Sequence, residues 1–546
     1  MTIRRLAAIF SVLIVVLSIT GWIWWELNAD RVIEAAFNGE SFSFVNKYVG
    51  IHKSIDPTGR TLDYFLRNGR PVVPRLLGLV IALQVLLLVA LRYETSVIKN
   101  FFFGVTHPIN LSAFRVILFT AILLYADIPH IIQYSRFPEA LRVAPFGMGW
   151  LVNILPINPT WVGVVSSLFL LACVSGLFGL FSRTSAALAA ILGLYVLGIP
   201  QFFGKIDHYH HLLWFAALLA VSPCGDVLSI DAMIGGRKKS VVSLPQRSAI
   251  YLLPLRFVML LMGIIYFFAG FWKFAIGGIT WGTGDTMKDI LYAQWFRLDW
   301  MPLFRIDQYP LLCKLAGVGV MSFELVFIFF LFFRRLRKFA AVGGLLFHLS
   351  VYLFAHINFW NLALCYVVFI DFEPAYRRMK NALSITADQM VSDRPREKVN
   401  RKLRPVFIVG TLLVSINALC GIALVDSWPF AVYPTFAGVD EKYLQSLTII
   451  LINPDNSSIE INPYRDNALQ RTLHPSRMIG LFTQVLWEPD TMKARTRAVA
   501  LMHVFSEIDL RFRRASSIRL YRDVCTVVPE EQNENPLRRE LLLSLQ

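Results

Sequence analysis

Residues 257–272 read FVMLLMGIIYFFAGFW, an apolar run without a charged residue, and Lys273 follows it directly. Similar runs occur along the chain, beginning with Leu6 to Trp25 and ending with Pro405 to Val425. A helix of about 20 apolar residues spans the ~30 Å hydrocarbon layer of a bilayer. Only 16% of the 546 residues are charged, against roughly 25% in soluble domains. The sequence therefore predicts an all-α polytopic membrane protein with about ten or eleven transmembrane helices.

Basic residues between the apolar runs predict the orientation of the chain. The net charge is +16, and the densest basic cluster is RRLRK at residues 334–338. Because cytosolic loops of membrane proteins carry an excess of Lys and Arg, we expect a cytosolic N-terminus and an extracytoplasmic C-terminus. Cations confined to such loops reflect membrane topology, so the charge does not indicate nucleic-acid binding.

The alternation of apolar runs and charged loops divides the chain into five predicted parts. These are two N-terminal transmembrane helices with an outside loop (1–100), a membrane domain (101–378), a cytosolic basic linker (379–404), a last transmembrane helix (405–425) and an extracytoplasmic domain (426–546). Alternating residues from Leu447 to Asn453 and from Ser517 to Val528 predict strands, and hence a small α+β fold, in the C-terminal domain. The region from Phe347 to Phe372 is compatible with two short helices or one re-entrant pair.

Lys273 is the first candidate for a functional residue. Ionisable groups within a membrane span are energetically costly and usually functional. Tyr266, Gly270 and Lys273 are spaced four and three residues apart and share one face of the predicted helix. Glycine at 270 would allow another backbone or a ligand to approach that face. Two interpretations of Lys273 remain open: a lysine that snorkels to the interface beside Trp272, or a partly desolvated amine available as a base.

A second polar cluster, Lys205-Ile-Asp-His-Tyr-His-His211, precedes another apolar run. Asp207 and His211 lie four residues apart, and His208 and His211 lie three apart, so a metal site is conceivable. The cluster has no matching histidine partners elsewhere in the sequence. We therefore favour a hydrogen-bonded polar cluster and expect no metal.

Two further polar features lie in later spans. His348, Tyr352 and His356 are one helical turn apart and are followed by Asn358 and Asn361; this stripe either lines a cavity or binds neighbouring backbone. Glu324 lies in the middle of the run from Leu311 to Phe333 and requires a histidine, lysine or arginine as partner. A structural buried pair and a catalytic role are both compatible with Glu324.

Together these segments resemble the horizontally transferred transmembrane (HTTM) domain superfamily, and in particular the vitamin K-dependent γ-glutamyl carboxylases. The most specific segment is YFFAGFWK at 266–273, which is similar to the Tyr-Phe-x-Ala-Gly-x-x-Lys segment of the carboxylases. The other similar segments are Phe114-Arg115, Asp127-Ile128-Pro129, Arg136-Phe137-Pro138, Asp207-His208 and Phe347-His348, with Glu324 at an acidic position of the carboxylases. The resemblance covers roughly residues 100 to 375.

The resemblance implies that Lys273 is the base that deprotonates reduced vitamin K, a naphthoquinol. Oxygen and carbon dioxide are then co-substrates, and a glutamate side chain loses its γ-proton and is carboxylated. His208 would position the quinol oxygen or the peptide, and His348 would be the third catalytic residue. The residues expected in the substrate cavity, near the outer face, are Asp207, His211, Tyr266, Gly270, Glu324, Trp281 and Arg115.

The implied partners are membrane lipid, the quinol and a secreted or membrane-anchored peptide that contains glutamate. The main alternative is an HTTM membrane protein that binds a quinone, a lipid or a secreted peptide without carboxylating it. A transporter is a third interpretation, which the absence of repeated Gly/Pro-broken spans disfavours.

Overall fold

The computed structural model describes most of the chain: residues 3–42, 45–46, 49–50, 53, 60–93, 95–154, 156–237, 246–382, 401–431, 436, 438, 442–473, 475–486, 488, 490–532 and 535–545. Most of the predicted linker 379–404 lies outside these residues, because residues 383–400 are not among them.

The membrane part of the described chain is helical. Its helices are α1 (Ile3–Asn38), α2 (Leu62–Gly69), α3 (Val72–Tyr93), α4 (Thr95–Phe103), α5 (Pro108–Tyr125), α6 (Ile128–Tyr134), α7 (Gly149–Ile154), α8 (Pro159–Phe178), α9 (Ser182–Val196), α10 (His210–Ala220), α11 (Ile230–Arg237), α12 (Ala249–Gly277), α13 (Thr280–Thr283), α14 (Thr286–Leu298), α15 (Pro310–Phe330), α16 (Leu336–Ala355), α17 (Trp360–Leu364), α18 (Glu373–Ala382) and α19 (Arg404–Ile422). Short 3₁₀ turns occupy Glu139–Leu141, Ile199–Phe202, Ile306–Gln308 and Cys365–Phe369.

Nine helices within the described residues are long and apolar enough to cross a membrane. They comprise α1, α2 with α3, α5, α8, α9 with its 3₁₀ turn, α12, α15, α16 and α19. Two shorter apolar helices, at His210–Ala220 and Trp360–Phe369, accompany them. The prediction of a polytopic all-α membrane protein is confirmed.

The region from Phe347 to Phe372 differs from its prediction. The part around Phe347 belongs to α16, which has 20 residues and begins within the basic run at residues 334–338. Only the part after it is short, because α17 has five residues and passes into a 3₁₀ turn. One helix of spanning length therefore replaces the first of the two short helices.

Helix α12 is the centre of the bundle, and nearly all of its residues are buried. Glycines of the neighbouring helices allow this close packing: Gly410 and Gly421 of α19 face the rings of Phe257 and Phe268, leaving no space for a Cβ. The helix is therefore shielded from lipid, and polar side chains on it are shielded as well.

The C-terminal domain is a four-stranded antiparallel sheet covered by helices. Its strands are β1 (Tyr443–Ile452), β2 (Ser458–Ile461), β3 (Ser517–Thr526) and β4 (Arg538–Leu545), in the order β2-β1-β3-β4. Its helices are α20 (Asn467–Thr472), α21 (Pro475–Leu486), α22 (Thr491–Ile508) and α23 (Leu510–Arg514). The small α+β domain predicted from the strand patterns is confirmed.

Arg477 joins the C-terminal domain to the bundle. It lies in α21, is 1% exposed, and donates to the backbone carbonyls of Pro200 and Lys205 while pairing with the carboxylate of Asp207. Beside it, the backbones of Gly204 and Gly480 are so close that neither position has space for a Cβ. The domain is thus fixed to the end of the bundle that carries Asp207.

We expect Arg477→Met to destabilise this junction by roughly 3–5 kcal/mol, because Asp207 would remain without its partner. The midpoint of thermal unfolding and hydrogen exchange in α21 measure the effect. Adding Asp207→Asn should recover part of the loss, and Arg471→Met, at an exposed arginine of α20, is the matched control. An unchanged midpoint for Arg477→Met would contradict this account of the junction.

Candidate functional site

Lys273 is buried in an ion pair. Its Nζ lies 2.8 Å from Oε1 and 2.7 Å from Oε2 of Glu324 on α15, and both residues are 3% exposed. The interpretation of Lys273 as a lysine that snorkels to the interface is therefore wrong. Glu324 has the cationic partner that the sequence requires, and that partner is Lys273.

Gly270 explains how the two helices approach each other here. A Cβ at Gly270 would lie 2.8 Å from Cβ of Glu324 and 2.9 Å from the backbone nitrogen of Leu325. Only glycine fits at this distance, so α15 packs directly against the face of α12 that carries Lys273. The predicted close approach at Gly270 is that of another backbone, and Gly270 itself does not line the cavity described below.

Trp281 covers Lys273 on the side of the C-terminal domain. Lys273 Nζ lies 5.3 Å from the centroid of the Trp281 ring, within the range of a cation–π contact. The indole of Trp281 is 1% exposed, and its N–H donates to the carbonyl oxygens of Phe436, at 3.1 Å, and Gly438, at 3.3 Å. A segment that follows the last span therefore closes the site.

A chain of hydroxyl groups holds His348. The hydroxyl of Tyr366 donates to the hydroxyl of Tyr266 at 2.7 Å, and Tyr266 Oη lies 2.6 Å from Nε2 of His348. Tyr266 Oη can donate to Nε2 while it accepts from Tyr366, an arrangement in which a neutral His348 carries its hydrogen on Nδ1. Nδ1 is buried and has no hydrogen-bond partner among the described residues.

The polar residues predicted to form one stripe with His348 do not all lie at the candidate site. Tyr352 and His356 stack on each other at 5.4 Å, and His356 also lies 4.8 Å from the ring of Trp300. His356 is exposed and does not reach the site. Asn361 does reach it, and its side chain donates to the backbone oxygen of His208 at 3.4 Å.

The three histidines of the segment 205–211 likewise have different surroundings. His208 and His211 face the site, whereas Nε2 of His210 lies 2.6 Å from the carbonyl of Ser427. Neither ring nitrogen of His211 makes a hydrogen bond of normal geometry. Within the part of the chain that the structure describes, no three His, Cys, Asp or Glu side chains group as metal ligands would.

A cavity of about 420 Å³ connects these residues. His208, His211, Tyr266, Lys273, Trp281, Glu324 and His348 all line it. The remaining walls are mainly apolar, with the aromatic rings of Phe323, Phe347 and Phe359. Its size falls within the roughly 300–1,000 Å³ of small-molecule sites, which are likewise apolar with a few convergent polar groups.

The cavity reaches the outer surface of the bundle between α15 and α16. Three of its lining residues, Gly319, Leu346 and Ser350, are exposed on these two helices. Because this surface belongs to spanning helices, the opening faces the region that lipid occupies.

Besides Gly270, two more residues expected in the cavity do not line it. Asp207 pairs with Arg477 at the domain junction. Arg115 is fully buried toward the opposite end of the bundle, where it donates to the carbonyls of Cys224, at 2.9 Å, and Leu228. Both side chains are occupied by structural contacts, so neither lines the cavity.

Sequence reasoning missed several residues of the site, among them Tyr366 and Phe436. Tyr366 and Phe436 belong to segments without a polar pattern, and only the folded chain brings them to Tyr266 and Trp281.

The HTTM domain family model matches residues 103–375, half of the chain. The matched segment includes α12, α15 and α16, and with them Lys273, Glu324 and His348. No curated protein and no solved structure matches the chain.

We expect Lys273→Met and Glu324→Met each to lower the free energy of unfolding by roughly 3–5 kcal/mol, because each leaves the other buried ionisable group without its partner. The double variant should be close to wild type, since an apolar pair of similar volume replaces the ion pair. Thermal unfolding of the purified protein in detergent measures all three. Lys314→Met, at an exposed lysine of α15, is the matched control. Equal midpoints for Lys273→Met and wild type would refute the buried pair.

Proposed function

The chain belongs to the HTTM domain family, and we propose that it is a membrane enzyme whose reaction is of the vitamin K-dependent γ-glutamyl carboxylase type. Lys273 is the proposed base, with His208 and His348 as the other catalytic residues. The observation that carries this proposal is the buried Lys273–Glu324 pair at the wall of an apolar cavity.

The pair supports proton transfer because both partners are ionisable and share short hydrogen bonds. In water a lysine amine is protonated and unavailable as a base. In an apolar site the charged pair loses its solvation, and transfer of the proton from Lys273 to Glu324 yields two neutral groups. A neutral Lys273 can then accept a proton from an acidic hydroxyl in the cavity. Glu324 acts here as the group that holds the proton.

The cavity suits a reduced naphthoquinone, a flat apolar molecule with two hydroxyl groups. The rings of Phe323, Phe347 and Phe359 offer aromatic walls, and His211 and Nδ1 of His348 offer polar groups without hydrogen bonds of normal geometry. When bound, the quinol would supply the reducing equivalents that, with oxygen, produce a base strong enough to remove a glutamate γ-proton. The opening between α15 and α16 suits a lipid-soluble molecule of this kind.

The chain also contributes to the proposed reaction by excluding water from the cavity. A neutral amine and a carbanion both require a dry site. Trp281, fixed by the carbonyls of Phe436 and Gly438, covers Lys273 on the side of the C-terminal domain. His348, held by Tyr266 and Tyr366, directs a fixed ring edge at the cavity and so orients its occupant. The glutamate of a secreted or membrane-anchored peptide is the proposed second substrate, with carbon dioxide.

The ion pair also favours a second candidate. If Lys273 stays protonated beside Glu324, the pair is structural, and the cavity binds a quinone or another lipid without carboxylation. Ligand binding that survives replacement of the pair separates this candidate from the enzyme.

The reaction is tested on the full-length protein with reduced vitamin K, labelled bicarbonate and a glutamate-containing peptide. We expect wild type to form vitamin K epoxide and labelled peptide, and Lys273→Ala to lose both by roughly 10²–10⁴-fold, the usual contribution of a general base. The Lys273→Met/Glu324→Met variant should fold and remain inactive, which separates lost chemistry from lost stability. Lys314→Ala is the matched control.

Wild-type protein that forms neither product with any quinol would refute the carboxylase proposal. Quinone binding that persists in the Lys273→Met/Glu324→Met variant would then support the second candidate.

We further propose that the N-terminus is cytosolic and that the C-terminal domain is extracytoplasmic, on the side of the bundle where Trp281 covers Lys273. Cysteines introduced at the exposed positions Pro454 and Lys402 test this orientation. A membrane-impermeant maleimide should label Pro454→Cys in intact cells and Lys402→Cys only after permeabilisation, with wild type as background. The reverse pattern would overturn the orientation.

A further inference from the structure

A second large cleft lies at the end of the bundle opposite Lys273. Its volume is about 1500 Å³, and it lies between the start of α12, the end of α15 and the start of α16. Its cationic lining residues are Arg247, Arg256, Arg334, Arg335, Arg337 and Lys338, and we call it the arginine cleft. The basic run that indicated orientation in the sequence thus forms one wall of a cleft.

Arg256 is the buried cation of the arginine cleft. It is 8% exposed and lies about two turns into α12. Its Nη1 donates to the thioether sulfur of Met259 at 3.1 Å, a weak acceptor, and its buried Nε makes no hydrogen bond. Within the described residues no carboxylate pairs with Arg256, so its charge lacks a counterion.

Arg337 faces the same aromatic ring as Arg256. The guanidinium carbons of Arg256 and Arg337 lie 5.1 Å and 5.8 Å from the centroid of the buried Phe101 ring. The Nε of Arg337 is likewise buried and makes no hydrogen bond. The ring attracts each cation, but two guanidinium groups on one ring repel each other. An anion that contacts both groups would offset this repulsion.

The acidic residues of the cleft are already engaged. Glu373 pairs with Arg247 at 2.8 Å and with Arg377 at 2.6 Å. Burial opposes its ionised form, but the hydrogen bonds from these two arginines outweigh burial and keep the pKa of Glu373 below its ordinary value of 4.5. Asp371 accepts hydrogen bonds from Asn110 and from the backbone of Glu373. Neither carboxylate neutralises Arg256 or Arg337.

We propose that the arginine cleft binds the phosphate group of an anionic phospholipid. The guanidinium fork matches phosphate oxygens in a bidentate manner, and charge-assisted bonds of this kind are strong. The exposed side chains of Phe333, Val342 and Leu345 also line the cleft, which offers a surface to acyl chains and favours a lipid over free phosphate. Basic pockets at the membrane boundary recognise anionic headgroups in this way.

The arginines of this cleft are distant from Lys273, although Tyr366, whose hydroxyl donates to Tyr266 at the candidate site, also lines the cleft. Arg256 and Lys273 are 17 residues apart on α12, about 25 Å along the helix axis. Lipid binding is therefore measured without any assay of carboxylation.

The test uses the full-length protein, delipidated in a neutral detergent. Dioctanoyl-phosphatidylglycerol, dioctanoyl-phosphatidylcholine and inorganic phosphate are titrated at equal ionic strength, and the midpoint of thermal unfolding is followed. We expect a saturable rise with phosphatidylglycerol alone, and a weaker rise at higher salt. Native mass spectrometry should show retained phosphatidylglycerol.

Variants of the cationic residues test whether the rise in the unfolding midpoint comes from binding in the arginine cleft. Arg337→Gln should weaken the apparent affinity for phosphatidylglycerol roughly tenfold or more, as the loss of a charge-assisted hydrogen bond predicts, and Arg337→Lys should retain part of it. Arg256→Gln should act in the same direction. If Arg256→Gln does not fold, the test relies on Arg337→Gln and Lys338→Gln, because Arg337 is half-buried and Lys338 is exposed. Lys314→Gln, at the other end of α15, is the matched control.

An equal rise with inorganic phosphate would overturn the assignment to a lipid. An equal rise with phosphatidylcholine, or an unchanged affinity in Arg337→Gln and Lys338→Gln, would overturn the site itself.

Discussion

The ion pair between Lys273 and Glu324 sets the geometry of the bundle at the end that holds the cavity. Two separate charges at this depth would be costly, so the amine and the carboxylate must meet. Their meeting requires α12 and α15 to pack at a short distance, and Gly270 provides the space. Gly282 of α13 and Gly317 of α15 make a second close approach, since a Cβ at either would lie within 3.0 Å of the opposite backbone. The cavity, Trp281 and the histidines are arranged around this contact.

The buried cations at the two ends of α12 have different partners. Lys273 has a counterion within the chain, whereas Arg256 has a sulfur atom and an aromatic ring. An internal counterion yields a pair that holds or releases a proton within an apolar site. A buried guanidinium that pairs with no carboxylate of the described residues supports the proposed binding of an external anion. One central helix can therefore serve an interior reaction at one end and a lipid headgroup at the other.

Hydropathy predicts the helices well, because spanning length and apolar composition are local properties of the sequence. Helical spacing likewise predicts that Tyr266, Gly270 and Lys273 share a face, and charge balance predicts that Glu324 has a cationic partner. Neither argument identifies Lys273 as that partner, because the pairing joins residues 51 positions apart. Arg115 and Asp207 were expected in the cavity because they match family segments. The neighbouring sequence does not indicate that Arg115 binds backbone carbonyls or that Asp207 pairs with Arg477.

Access to Lys273 sets the last constraint on the proposed reaction, because a lipid-soluble quinol and a water-soluble peptide must reach the same amine. The opening between α15 and α16 faces the lipid region and can admit the quinol. On the other side of the amine, Trp281 and Phe436 form the wall, and Trp281 packs against Met321 of α15. The C-terminal domain is fixed at this same end through Arg477. In the proposed reaction, a peptide on that side would first meet Trp281, which covers Lys273, and only then the ion pair between α12 and α15.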